Sequence, residues 1–122
     1  MSNYNRYTEL EVWKESTSLA CEIYKPTLGY PKSELFGIVS QLRRCAISIP
    51  SNIAEVCGRQ YNKETIHFLS IARGSLYELE TQLYISKDLN FITANQLEPV
   101  LNKIEIQGKL INGFIKYYRT KP

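Results

Sequence analysis

Apolar residues recur every three or four positions along nearly the whole chain, and no stretch shows the period of two that a half-buried strand requires. From about Glu9 to Thr27 the pattern puts Leu10, Trp13, Thr17, Ala20, Ile23 or Tyr24, and Thr27 on one face. Thr8 stands at an N-cap position with Glu11 as its capping-box partner, and Pro26 marks the approach of the helix end. Gly29-Tyr30-Pro31-Lys32 reads as a connector and Ser33 as the cap of a second helix over 33–58. Pro50 lies inside that run, lacks a backbone donor and crowds the carbonyl of Ala46. A kink at Pro50 is expected rather than a break, because the apolar positions keep their phase on both sides.

A third helix over 63–88, capped by Asn62, carries Thr65, Phe68, Ala72, Leu76 or Ser75, Leu79, Leu83 and Ser86 at 3-4 spacing. After a loop at Asp88-Leu89-Asn90-Phe91, Thr93 caps a fourth over 94–119. Its face holds Leu97, Val100 or Leu101, Ile104, Leu110 or Ile111, Phe114 or Ile115, and Tyr118, and Pro99, late for a first turn, suggests a start a few residues beyond Thr93. Four long helices with short connectors predict an all-α fold, a single domain over 1–122 folded as an antiparallel up-down-up-down four-helix bundle.

The second helix departs from an ordinary amphipathic pattern. Ile38, Leu42, Cys45, Ile49, Ile53 and Val56 form its apolar stripe, while Gln41, Arg44, Ser48, Asn52, Glu55 and Arg59 repeat with the same period about 100° around the axis. Ordered polar groups beside an apolar seam suit contact with another subunit, a polyanion, or both.

The 122 residues are enough for one core, and 43% hydrophobic with 22% charged residues is a globular composition. The polar opening residues carry no apolar run that reads as a leader, and no stretch approaches the roughly 20 apolar residues of a membrane span, so a cytoplasmic protein without membrane contact is expected. Cys21, Cys45 and Cys57 form no CxxC pair and read as reduced, small core hydrophobes. Net charge is +3, and the surplus is C-terminal, where Lys103, Lys109, Lys116, Arg119 and Lys121 offer either a basic face or a solvated one.

Catalytic patterns are missing. His67 is the single histidine, which excludes a di-iron bundle built on two Glu-x-x-His motifs, and no GxxxxGK[ST], GxGxxG or GxSxG occurs. Glu78 and Glu80 lie roughly 200° apart on a helix and do not converge as an acid/base pair. His67 near Arg59 is a remote candidate for a general base. The expectation is a protein that is not an enzyme, with no catalytic residues, cofactor or metal.

The run QLRRCAISIPSNIAEVCGR from Gln41 to Arg59 and FLSIARGSLYELETQL from Phe68 to Leu83 resemble the signature of the four-helix proteins encoded by intervening sequences within bacterial 23S rRNA genes. LEVWKESTSLACEIY from Leu10 to Tyr24 is similar to that family's first helix, so the resemblance covers nearly all of residues 9–118. Gln41, Arg44, Ser48, Pro50, Asn52, Ile53, Ala54, Glu55, Gly58, Arg59, Ala72, Ser75, Glu78 and Glu80 fall at the family's spacing, whereas Val56 stands where the family usually has glycine. The resemblance implies an oligomeric bundle. A relative of similar fold, the accessory variability determinant of diversity-generating retroelements, assembles as a five-membered barrel and binds nucleic acid through a basic surface.

Two functions follow as expectations. The first is a ring-like homo-oligomer, most simply a pentamer, acting as an RNA- or DNA-binding accessory protein through Arg43, Arg44, Arg59, Lys103, Lys109, Lys116 and Arg119, with counterion release as its mechanism. The alternative is a protein-interaction module whose polar stripe, with Ser75, Glu78 and Glu80, meets an identical subunit or another protein. Arg44 also has a purely structural reading, an ion pair across the bundle with Glu78 or Glu80.

Overall fold

The computed structural model describes residues 6–122; the first five residues of the expected domain lie outside the described residues. It is all-α, with four long helices and, among the described residues, no strand. The helices are α1 (Glu11–Thr27), α2 (Ser40–Glu55), α3 (Asn62–Asp88) and α4 (Ala94–Thr120). Each packs on its neighbours in sequence and α1 also packs on α4, so the four-helix bundle closes around one apolar cluster. Leu19, Ile23, Leu42, Ile49, Ile53, Leu69, Leu76, Leu79, Leu83, Ile111 and Ile115 are its fully buried large side chains, each contributing about 1.5–3 kcal/mol by leaving water.

The entry into α2 differs from the expected helix over 33–58. Lys32–Glu34 is a 3-10 turn and Leu35–Val39 a π-turn, with Gly37 non-helical at φ −108° and ψ −116°. Helix α2 itself then runs through Pro50 without a break, and a 3-10 turn at Val56–Gly58 follows it. Two side chains add donors beside the proline: Ser51 Oγ to the carbonyl of Ile47 at 2.9 Å and Asn52 Nδ2 to that of Ser48 at 2.8 Å. The rung that Pro50 removes is the one to the Ala46 carbonyl; these two side chains share the next two carbonyls with their own backbone donors.

Three expected caps are corrected. Thr8 lies in a 3-10 turn, Tyr7–Glu9, and the cap of α1 is Leu10, with no side-chain bond. Ser33 likewise sits inside a 3-10 turn, and Asn62 is the first residue of α3, donating from Nδ2 to the carbonyl of Lys121 at 2.8 Å. Thr93 does cap α4, through a complete capping box with Gln96, so α4 starts at Ala94 and Pro99 is inside it rather than before it.

Buried faces also shift. In α1 the core side is Val12, Ser16, Leu19, Ile23 and Thr27, while Trp13, Thr17 and Ala20 are half-buried on its flank. Ser16 Oγ donates to Trp13 O at 2.7 Å and Thr27 Oγ1 to Ile23 O at 2.8 Å, so both hydroxyls enter the core already satisfied. In α3 Leu69, and not the half-buried Phe68, takes the core position at that turn; in α4 Gln107 joins the core by donating from Nε2 to Val12 O at 3.0 Å. Of the three cysteines only Cys45 is buried; Cys21 and Cys57 are exposed, because α1 and the Val56–Gly58 turn present them outward.

Candidate interaction surfaces

The polar stripe of α2 faces α3 of the same chain. Ser48 Oγ and Ser75 Oγ lie 2.9 Å apart, and Asn52 Nδ2 donates to Ser48 Oγ at 3.1 Å. One turn along, the Cys45 thiol donates to Glu78 Oε1 at 3.1 Å, and beyond it Gln82 Nε2 donates to Gln41 Oε1 at 3.4 Å. With Arg44 these groups line a groove of about 510 Å³. Burial, reinforced by the Glu78 carboxylate, pushes the Cys45 thiol from 9.0 up to about 12, with Arg44 and a Gln82 bond pulling the other way. The thiol is therefore a protonated donor at neutral pH and a poor nucleophile.

The expected pairing of Arg44 is corrected here. Among the described residues Arg44 makes no ion pair with Glu78 or Glu80. The Cys45 thiol takes the Glu78 oxygen, while Glu80 turns to the α3–α4 side beside Tyr77, Tyr84 and Lys109. Ser48, Asn52, Ser75 and Glu78 are thus brought together with Gln41 and Arg44, and Glu80 is not. Glu55 is spent on Arg59, whose Nη2 reaches Glu55 Oε1 at 2.9 Å while its Cζ lies 4.9 Å from the centre of the Phe68 ring. His67 meets the same Phe68 ring edge-on at 5.4 Å.

The basic candidates separate into engaged and open groups. Half-buried Arg43 donates from Nε to Thr27 Oγ1 at 3.2 Å and stacks over Tyr24 at 4.4 Å, which holds α1 to α2. Lys103 is half-buried and donates to Ser18 Oγ at 3.2 Å, bridging α4 and α1. Lys109, Lys116 and Arg119 are exposed on α4 and, among the described residues, make no ion pair.

A second surface went unread in the sequence. Phe36 is 94% exposed, and with Tyr24, Leu35 and Ile47 it borders a shallow groove of about 300 Å³ that Arg44 shares with the polar one; Leu28, at 80% exposure, is also uncovered. The available signal was an aromatic residue roughly 200° from the apolar stripe of the second helix, where a single bundle has no use for it. Among the described residues no cluster of three or more His, Cys, Asp or Glu side chains is placed to hold a metal, and no helix is long and apolar enough to cross a membrane.

An all-α four-helix bundle with a polar groove between its second and third helices is the class that fold and surface define. No curated protein matches the chain. A family model, the 23S rRNA-intervening sequence protein, matches residues 8–113, and the chain belongs to that family.

Proposed function

We propose that this chain is a non-catalytic assembly module: a cytoplasmic, antiparallel up-down-up-down bundle that closes with copies of itself into a ring, with a pentamer the expected size. The pairs 41 with 82, 45 with 78 and 48 with 75, then 12 with 107 and 18 with 103, run in opposite directions along their helices, which supports the antiparallel topology. The observation that carries the assembly reading is Phe36. An aromatic side chain held almost wholly in water beside Leu35 and Ile47 costs free energy until a partner covers it, and contiguous exposed apolar surface of this kind marks interfaces. The protonated Cys45 thiol and the Arg59–Glu55 pair favour a structural use of the signature residues over a catalytic one.

Light scattering on the purified protein tests this reading. A mass near five times the 14.1 kDa of the chain is expected, and a mass of 14.1 kDa at micromolar concentration overturns it. A second reading, contact with RNA or DNA, rests on Lys109, Lys116 and Arg119. These three are open to solvent, whereas Arg43, Arg59 and Lys103 are already engaged within the chain.

A further inference from the structure

The polar groove between α2 and α3 holds charges of both signs that do not meet. Arg44 and Glu78 both line it, and both lie close enough to act on the Cys45 thiol, Arg44 lowering its pKa and Glu78 raising it. Among the described residues no ion pair joins the two. What the groove leaves unused can be counted. The Arg44 guanidinium carries five N–H donors and, among the described residues, gives none of them to another residue. Glu78 takes the Cys45 thiol on Oε1 and keeps Oε2. The Ser48 and Ser75 hydroxyls share one bond of 2.9 Å, and Ser48 Oγ also accepts from Asn52 Nδ2 at 3.1 Å. Whichever serine donates, one hydroxyl proton of the pair is left over.

These groups are also held in place. Bonds from Cys45 to Glu78, between Ser48 and Ser75, and from Gln82 to Gln41 tie the two walls of the groove together, so a ligand meets a surface already ordered. The groove between α3 and α4 carries Glu80, Glu105 and Lys109 as well, but no hydrogen bond between its lining side chains fixes them. The unused valences select the ligand. A polyanion satisfies Arg44 but sets its phosphates against Glu78, and a polyamine satisfies Glu78 but sets an ammonium against Arg44. A small molecule with one carboxylate and one ammonium opposes neither. Space of on the order of 150 Å³ admits benzene. The groove, at about 510 Å³, therefore has room for such a molecule and a side chain.

We propose that the α2–α3 groove binds a free α-amino acid as its zwitterion, with the carboxylate on Arg44 and the spare serine hydroxyl and the ammonium on Glu78. Both charges of the ligand are needed, which separates a free amino acid from a residue inside a peptide. The site lies within one chain and stands independently of the assembly reading.

The test presents the proteinogenic amino acids one at a time, at millimolar concentration, to the purified full chain, read by ligand-observed NMR and by the melting temperature. At least one is expected to bind saturably and raise the melting temperature, as any ligand of the folded state does. Its N-acetyl and carboxamide derivatives each lack one charge and are expected to bind wild type about tenfold or more weakly, the loss of a charge-assisted hydrogen bond. Arg44→Gln and Glu78→Gln are expected to weaken the parent amino acid to the same degree. Both positions are exposed, and glutamine at 78 keeps an oxygen for the Cys45 thiol; circular dichroism checks that each variant stays helical. The proposal is overturned if no amino acid binds, if either derivative binds as well as its parent, or if binding is unchanged in a folded Arg44→Gln or Glu78→Gln. The derivatives are measured on wild type, so they decide the question even if a variant unfolds.

Discussion

Leu76 and Leu79 are sealed on the inward side of α3, at 1% and 0% exposure. Truncation of either to alanine is expected to leave a cavity and cost about 2–5 kcal/mol in denaturant unfolding, and a cost under about 1 kcal/mol would mean that this face is misplaced. Cys45 gives a pH-dependent counterpart. Its thiol titrates at about 12 in the fold against 9.0 ordinarily, so below pH 9 both states hold the proton and the neutral thiol's contribution is fully present. Above pH 9 the unfolded chain releases the proton first, and that contribution is lost as pH rises toward 12. Wild type is therefore expected to lose more stability than Cys45→Ala between pH 9 and pH 12, which cancels the titration of tyrosines and lysines common to both. Equal losses would show that the thiol is not held neutral. Alkylation below pH 9 should modify exposed Cys21 and spare Cys45 until denaturant is added.

At the scale of the element, the capping box of α4 is the most localised determinant. Thr93→Ala removes the acceptor for the Gln96 amide at 3.1 Å and is expected to cost about 1 kcal/mol, read from the melting temperature, with Thr93→Gly closer to wild type. That cap was legible because Thr93 stands between a short connector and a clean apolar period; Thr8 and Ser33 failed because 3-10 turns around them satisfy donors by backbone bonds, such as Leu10 N to Tyr7 O at 3.1 Å. The four helices themselves were legible from the 3.6-residue period, which survives one proline inside α2. The true face of α1 was not. Thr27 was read on the core face, but Ser16 counts as a surface residue on a hydropathy pattern and yet hides its hydroxyl by bonding back along its own helix, as Thr27 also does. Gln107 escapes the pattern for a related reason, since its partner is a carbonyl on another helix. The two stripes of α2 were visible as spacing, but that the polar one meets Ser75, Glu78 and Gln82 depends on the register between helices, which no single-helix period carries.

Across the whole molecule, charge and apolar exposure point to different surfaces, and a polyanion experiment separates them. The Arg43 and Arg59 side chains are bound into the fold through Thr27, Tyr24, Glu55 and Phe68, so replacing them would confound binding with stability. Lys109, Lys116 and Arg119 on α4 are open, although Lys109 also lines an apolar groove with Leu10, Leu110 and Phe114, so Lys116 and Arg119 are the discriminating pair. The logarithm of the affinity for heparin or RNA through this face is expected to fall linearly with the logarithm of salt, and Lys116→Gln with Arg119→Gln to lower that slope by about 2, one for each lost phosphate contact. Light scattering on the double variant should return the wild-type mass, since neither residue borders the Phe36 patch. If wild type is not retained even near 50 mM salt, where phosphate contacts are strong, the α4 cations are a solvated face. The proposed self-assembly through the Phe36 patch is then the reading left for light scattering to decide.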